Sequence, residues 1–136
     1  QIRQQNAGRL FMMASRVFEK LALDQVRELG FEDLRMVHLA FLRNVDEGGS
    51  RISDIAELSN MTKQAAGQLA KELEKWGYIL IETDPTDGRA RLVTFTGRGK
   101  DFNSLRSKII KTAEKKMADT MRQMKLGLQL LLSKNL

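Results

Sequence analysis

From Gln4 to Glu28 the apolar residues Leu10, Met13, Ala14, Val17, Phe18 and Leu21 recur three and four apart, the period of one helix face. The spacing predicts a long amphipathic helix ended by Gly30, since glycine suits the position just past a helix. A second helix is predicted from Phe31, with Leu34, Val37, His38, Phe41 and Val45 on one stripe. The paired glycines of "DEGGS" end it.

The next thirty residues hold two short helical patterns. Ser53 is placed to cap a helix running through Leu58, with Ile55, Ala56 and Leu58 available to pack inward. "SNMT" reads as a tight turn, and Thr62 is placed to cap a helix from Lys63 to Trp76. Two short helices joined by so short a turn form a helix-turn-helix. The second buries Ala66, Leu69, Ala70, Leu73 and Trp76, which leaves Lys63, Gln64, Gly67, Gln68 and Lys71 facing outward. That face suits a DNA groove: glutamine pairs with adenine, lysine reaches guanine or phosphate, and glycine admits close approach. An ordinary surface helix stays open as the alternative, because the charges on this helix nearly cancel.

"YILIET" and "RLVTFT" are rich in β-formers and flank "DPTDGRA", which predicts a β-hairpin directly after the helix-turn-helix. Pro85 shapes the loop and Gly88 is available for a positive φ. Arg89 and Arg91 fall at or beside the tip, with Asp84 and Asp87 near enough to hold one guanidinium. The combination is a winged helix, and a hairpin arginine beside a recognition helix can enter a narrow, electronegative minor groove. A merely solubilising hairpin is the alternative. After Gly97 and Gly99 the chain returns to helix, and Met117, Met121, Met124, Leu128 and Leu131 step by four, three, four and three. This seam covers either the chain's own core or a partner, and Gly127 within it marks a bend or a close helix approach.

Composition adds direction to this outline. Residues 91–136 carry 11 Lys and Arg against 3 Asp and Glu, whereas residues 1–90 carry 12 against 14. A local basic excess suggests a polyanionic partner, or else a lysine-rich helix face kept for solubility. There are no cysteines, which fits a reducing compartment and excludes a disulfide framework and a thiol switch. No stretch approaches the eighteen or so apolar residues of a membrane span, and Gln1 to Arg9 lacks a signal-peptide pattern, so a cytoplasmic protein with no membrane contact is expected.

With these elements in order, the chain resembles the MarR family, the bacterial multiple-antibiotic-resistance type of regulator. The resemblance runs over nearly the whole sequence and is most specific in "DPTDGRARLVTFTGRGK", where Asp84, Pro85, Asp87, Arg89 and Phe95-Thr96 match the family pattern, followed by Gly97 and Gly99. Gly88 stands where the family often has arginine, with Arg91 a substitute, and Phe95 replaces the more usual leucine. The resemblance implies a single MarR-like domain over 1–136, mainly α with a small β-hairpin wing. In it a winged helix-turn-helix lobe at about 31–100 lies between dimerisation helices at about 4–29 and, as two closing helices, about 100–134. It also implies a homodimer held by the first and last helices through Leu10, Met13, Val17, Met117, Met121, Met124, Leu128 and Leu131, presenting two winged helices to a pseudo-palindromic operator. A small aromatic or lipophilic effector is implied as well, with Met36, His38 and Phe41 as candidate pocket residues, although a lone histidine on an apolar helix face is more often a satisfied core residue.

The expected function is therefore a dimeric, sequence-specific DNA-binding transcriptional regulator. Thr62, Lys63, Gln64, Gly67, Gln68 and Lys71 would serve the major groove, Arg89 with Asp87 the minor groove, and Arg51, Lys75 and Arg91 the phosphates. A winged-helix module that binds protein and no specific DNA is the alternative. An enzyme is not expected: the sole histidine lies far from the aspartates, no phosphate cradle or nucleophile motif occurs, and neither metal nor cofactor is called for.

Overall fold

The computed structural model describes residues 2–134, with side chains from residue 7 onward. The chain forms two compact units, Phe31–Arg106 and the pair of segments Gln1–Gly30 and Ser107–Leu136. It is mostly helical with one small antiparallel sheet. Among the described residues no helix is long and apolar enough to cross a membrane.

Within Phe31–Arg106, helix α2 spans Met36–Arg43, strand β1 Ser50–Arg51, helix α3 Ile52–Leu58 and helix α4 Lys63–Lys75. Strands β2 (Ile79–Asp84) and β3 (Asp87–Phe95) follow, and helix α5 begins at Gly97. The sheet order is β1-β3-β2, with Ser50 opposite Val93 and Ile79 opposite Phe95. Helix α4 packs on α2, α3 and β2, and the core between them is built on Leu34, Phe41, Ile55, Leu73, Tyr78 and Val93. Tyr78 donates its hydroxyl to Asp33 at 2.6 Å and lies under the Arg98 guanidinium at 4.2 Å. Burial, then the bond to Asp33, pushes its pKa up, so it is a fixed hydrogen-bond donor.

The helix that sequence periodicity starts at Phe31 begins at Met36 instead. Phe31 and Leu34 are buried, but from a non-helical approach, with the Phe31 ring edge-on to Phe102 at 5.3 Å. Val37 and Leu58, both expected inside, are 46% and 67% exposed. Helix α3 starts at Ile52 rather than after Ser53, because Ser50 and Arg51 pair with β3 and the chain passes from that strand straight into the helix. A two-residue strand carries no alternation to detect, which is why β1 escaped sequence reading.

In the other unit, α1 spans Ile2–Glu28 and ends at Gly30, whose φ of 97° is the left-handed conformation expected of it. Helix α5 runs unbroken from Gly97 to Lys134, one helix where two were expected. Nothing in the described chain lies within 4 Å of a Cβ built on Gly127, so no intramolecular close approach requires it. Ala7, Leu10, Phe11 and Met13 of α1 and Met117, Met121 and Met124 of α5 line an open groove of about 540 Å³.

Candidate nucleic-acid interface

Helix α4 starts on a cap: Thr62 Oγ1 accepts the Ala65 N–H at 3.0 Å. Ala66, Ala70 and Leu73 are buried, while Leu69 and Trp76, also expected inside, are only partly covered. At 100° per residue Lys63, Gly67, Lys71, Gln64, Lys75 and Gln68 form one contiguous arc on the opposite side. All but the half-buried Gly67 are exposed. In the turn before α4, Asn60 takes a φ of 54°, a left-handed value asparagine tolerates. Asn44 braces this turn from α2, donating to Ser59 Oγ at 2.9 Å and to the Ala40 carbonyl at 3.1 Å.

The wing is organised by Asp84, which is only 7% exposed. Its Oδ1 accepts the Thr86 N–H at 2.8 Å and the Thr86 hydroxyl at 2.7 Å, and its Oδ2 accepts Arg51 Nε at 2.8 Å. The Thr86 hydroxyl above all, with the Thr86 amide and Arg51, holds the Asp84 carboxyl down at about 2. The guanidinium that Asp84 grips is thus that of Arg51, across the sheet, and not a hairpin-tip arginine. Asp87 accepts the Arg89 backbone N–H at 3.1 Å, an Asx turn that leaves the Arg89 guanidinium free of it. Pairing jumps from Thr83 opposite Arg91 to Asp84 opposite Asp87, so Gly88, Arg89 and Ala90 bulge from β3. Gly88 is not among the glycines with positive φ, contrary to expectation: the bulge takes up the irregularity instead.

These elements bring five of the expected DNA-contacting residues together. Arg51, Lys63, Asp87, Arg89 and Arg91 line one open concavity of about 370 Å³, joined by Ile52, Ser53 and Ala90. Thr62, Gln64, Gly67, Gln68, Lys71 and Lys75 are not part of its lining and stand on α4 itself. Ser53 was not foreseen as a site residue, because its part in the concavity follows from where α3 starts.

The three candidate effector residues stand differently. His38 and Phe41 have no exposed surface and Met36 is half-buried. His38 Nδ1 accepts the Arg35 N–H at 3.0 Å and Nε2 lies 2.6 Å from Glu72 Oε2. The hydrogen bond from His38, chiefly, holds the Glu72 carboxyl below its ordinary range. Of the dimerisation candidates, Leu10, Met13, Val17, Met121, Met124, Leu128 and Leu131 are exposed along α1 and α5, and Met117 is half-buried.

A helix-turn-helix with a three-stranded wing and a long closing helix defines a winged-helix fold. Residues 32–90 match the MarR family model. Among solved structures it is similar to reduced MarR from E. coli, with 17% identity, 95% of each chain covered and a TM-score of 0.74. It is likewise similar to Sco3205, a MarR family transcriptional regulator from Streptomyces coelicolor in complex with DNA, at 17% identity, 98% and 90% coverage and a TM-score of 0.71. A mutant of S. aureus MepR gives 21% identity, 95% and 98% coverage and a TM-score of 0.67. At these identities the likeness is one of fold. No curated protein matches the sequence. The family matched over residues 32–90 is one of non-enzymatic DNA-binding regulators.

Proposed function

We propose that this protein is a homodimeric, sequence-specific DNA-binding repressor of the bacterial cytoplasm that reads a pseudo-palindromic operator. The observation that carries this is the joining of Arg51, Lys63, Arg89 and Arg91 in one concavity beside the exposed arc of α4. Gln64, Gln68 and Lys71 address base edges in the major groove, with Lys63 and Gly67 on the same arc and Thr62 at the helix cap before it. Arg89, presented by the bulge beside Asp87, enters the minor groove, while Arg51, Lys75 and Arg91 hold phosphates. Asp84 steadies Arg51 through Nε and leaves its terminal nitrogens available. Dimerisation covers the apolar faces of α1 and α5. A small aromatic or lipophilic effector belongs to the same reading, but with His38 and Phe41 buried, Met36, His38 and Phe41 offer it little surface in this conformation.

The test is a fluorescence-polarisation titration against DNA from upstream of the protein's own gene and a scrambled control, at two salt concentrations. The upstream fragment is expected to bind more tightly, with affinity falling as salt rises because neutralised phosphates release counterions. Arg89→Ala should cost about 1–3 kcal/mol of operator affinity, and Arg91→Ala should lower the log–log salt slope by about 1. Equal binding to both fragments would remove the specific-regulator reading in favour of a protein-interaction module. Arg89→Ala binding like the parent would remove the wing assignment.

A further inference from the structure

We infer that His38 is a positioning residue for DNA reading, setting the rotation of α4 through its bond to Glu72; this rests on the proposal that α4 reads bases. The protonation pattern of the ring follows from its neighbours. Arg35 N–H can only donate, so Nδ1, 3.0 Å away, presents its lone pair. The ring proton therefore sits on Nε2, which donates to Glu72 Oε2 at 2.6 Å. His38 is fully buried and Trp76, at the end of α4, meets it edge-on at 4.8 Å, so the ring is held from three sides. Arg35 adds a longer contact, 3.6 Å, to the same carboxylate oxygen.

Glu72 follows Lys71 directly and lies at the margin of the arc that carries Gln64 and Gln68. Two of the three buried residues on α4 are alanines, Ala66 and Ala70, whose contacts are small and without direction. Apolar packing of that kind holds the helix against the core but resists rotation about its axis weakly. The short bond to the Glu72 carboxylate supplies direction on the α2 side, as the Ile81 N–H that Glu74 accepts at 2.8 Å does on the β2 side. The stakes are geometric: a rotation of about 10° moves a side-chain tip about 5–6 Å from the axis by about 1 Å, enough to spoil a paired glutamine–adenine bond. Phosphate contacts, made by flexible cations, tolerate such a shift.

His38→Asn and His38→Gln separate the two ring nitrogens. Asparagine places an acceptor near the Nδ1 position, keeping the Arg35 bond, but cannot reach Glu72; glutamine places its amide N–H near the Nε2 position and keeps the Glu72 bond. Each is titrated against upstream and scrambled DNA, with its thermal midpoint measured alongside. We expect His38→Gln to discriminate like the parent, and His38→Asn to lose about ten-fold in the ratio of the two affinities, the worth of one paired base contact, with scrambled binding unchanged. Glu72→Ala, at a side chain 41% exposed and therefore tolerant of change, should reproduce the loss from the other partner. If His38→Asn and Glu72→Ala discriminate like the parent, or lose both affinities together in step with stability, the residue is structural only and the inference is wrong. If the parent itself does not discriminate, the regulator reading fails first and takes this inference with it.

Discussion

Gly99 sits in the first turn of α5, where a methyl group on its Cα would fall inside contact distance of the Tyr78 carbonyl oxygen and against the Phe95 ring. The same carbonyl accepts the Thr96 N–H at 3.1 Å, so the backbone there has no freedom to withdraw without breaking the junction between wing and helix. Gly99→Ala is expected to cost about 1–3 kcal/mol, in the range of overpacking, read as a lower urea midpoint with an unchanged m-value. A midpoint equal to the parent's would show that the junction is looser than the structure has it. Gly97 and Gly99 flank one residue in "TGRGK", and nothing in sequence separates them. Only the placement of the Tyr78 carbonyl does, since a Cβ on Gly97 would meet nothing within 4 Å.

The wing is an element whose existence is evident from its residues and whose wiring is not. Pro85 and Gly88 between two β-rich runs announce a hairpin from within a few positions. The pairing of Asp84 with Arg51 joins residues 33 apart, through a strand of two residues that leaves no pattern. This wiring has a pH signature. Because the Asp84 carboxyl is depressed to about 2 from 3.8, its contribution to stability is complete above about pH 4 and is lost as pH falls through about 2. Asp84→Asn should therefore melt below the parent by a constant margin above about pH 4, and the margin should narrow as acid protonates the parent's carboxylate. A margin independent of pH down to 2 would mean that Asp84 acts by shape and not by charge.

For the chain as a whole, the basic excess and much of the exposed apolar surface fall on the same helix, α5. Residues 31–106 carry 11 Lys and Arg against 12 Asp and Glu, so the winged-helix unit is close to neutral and the basic excess lies largely further along α5. The overall charge of +6 is therefore a poor guide to the proposed reading face, which would depend on a few cations gathered at the wing. Met121, Met124, Leu128 and Leu131 are each about 60–69% exposed, and Leu10, Phe11 and Met13 are 63%, 77% and 52%. Isolated exposed apolar residues are ordinary, but two helix faces of them together mark an interaction surface. If that surface holds the proposed dimer, Met121→Lys with Leu128→Lys should shift sedimentation from dimer to monomer and weaken operator binding. A parent that sediments as a monomer at all concentrations would refute the dimer.

Helix periods, the Thr62 cap, the stop at Gly30, the hairpin and the order of elements were all open to reading from the chain, because each depends on residues within a few positions of one another. Which apolar residues face inward was not: Val37 and Leu58 keep the period yet lie outside, since periodicity identifies a stripe but not the neighbour that covers it. The partners of His38 and Asp84, 34 and 33 residues away, depended on folding to bring α2 to α4 and β1 to the hairpin. Directional bonds between distant side chains are set by where whole elements come to rest, and that is decided by packing.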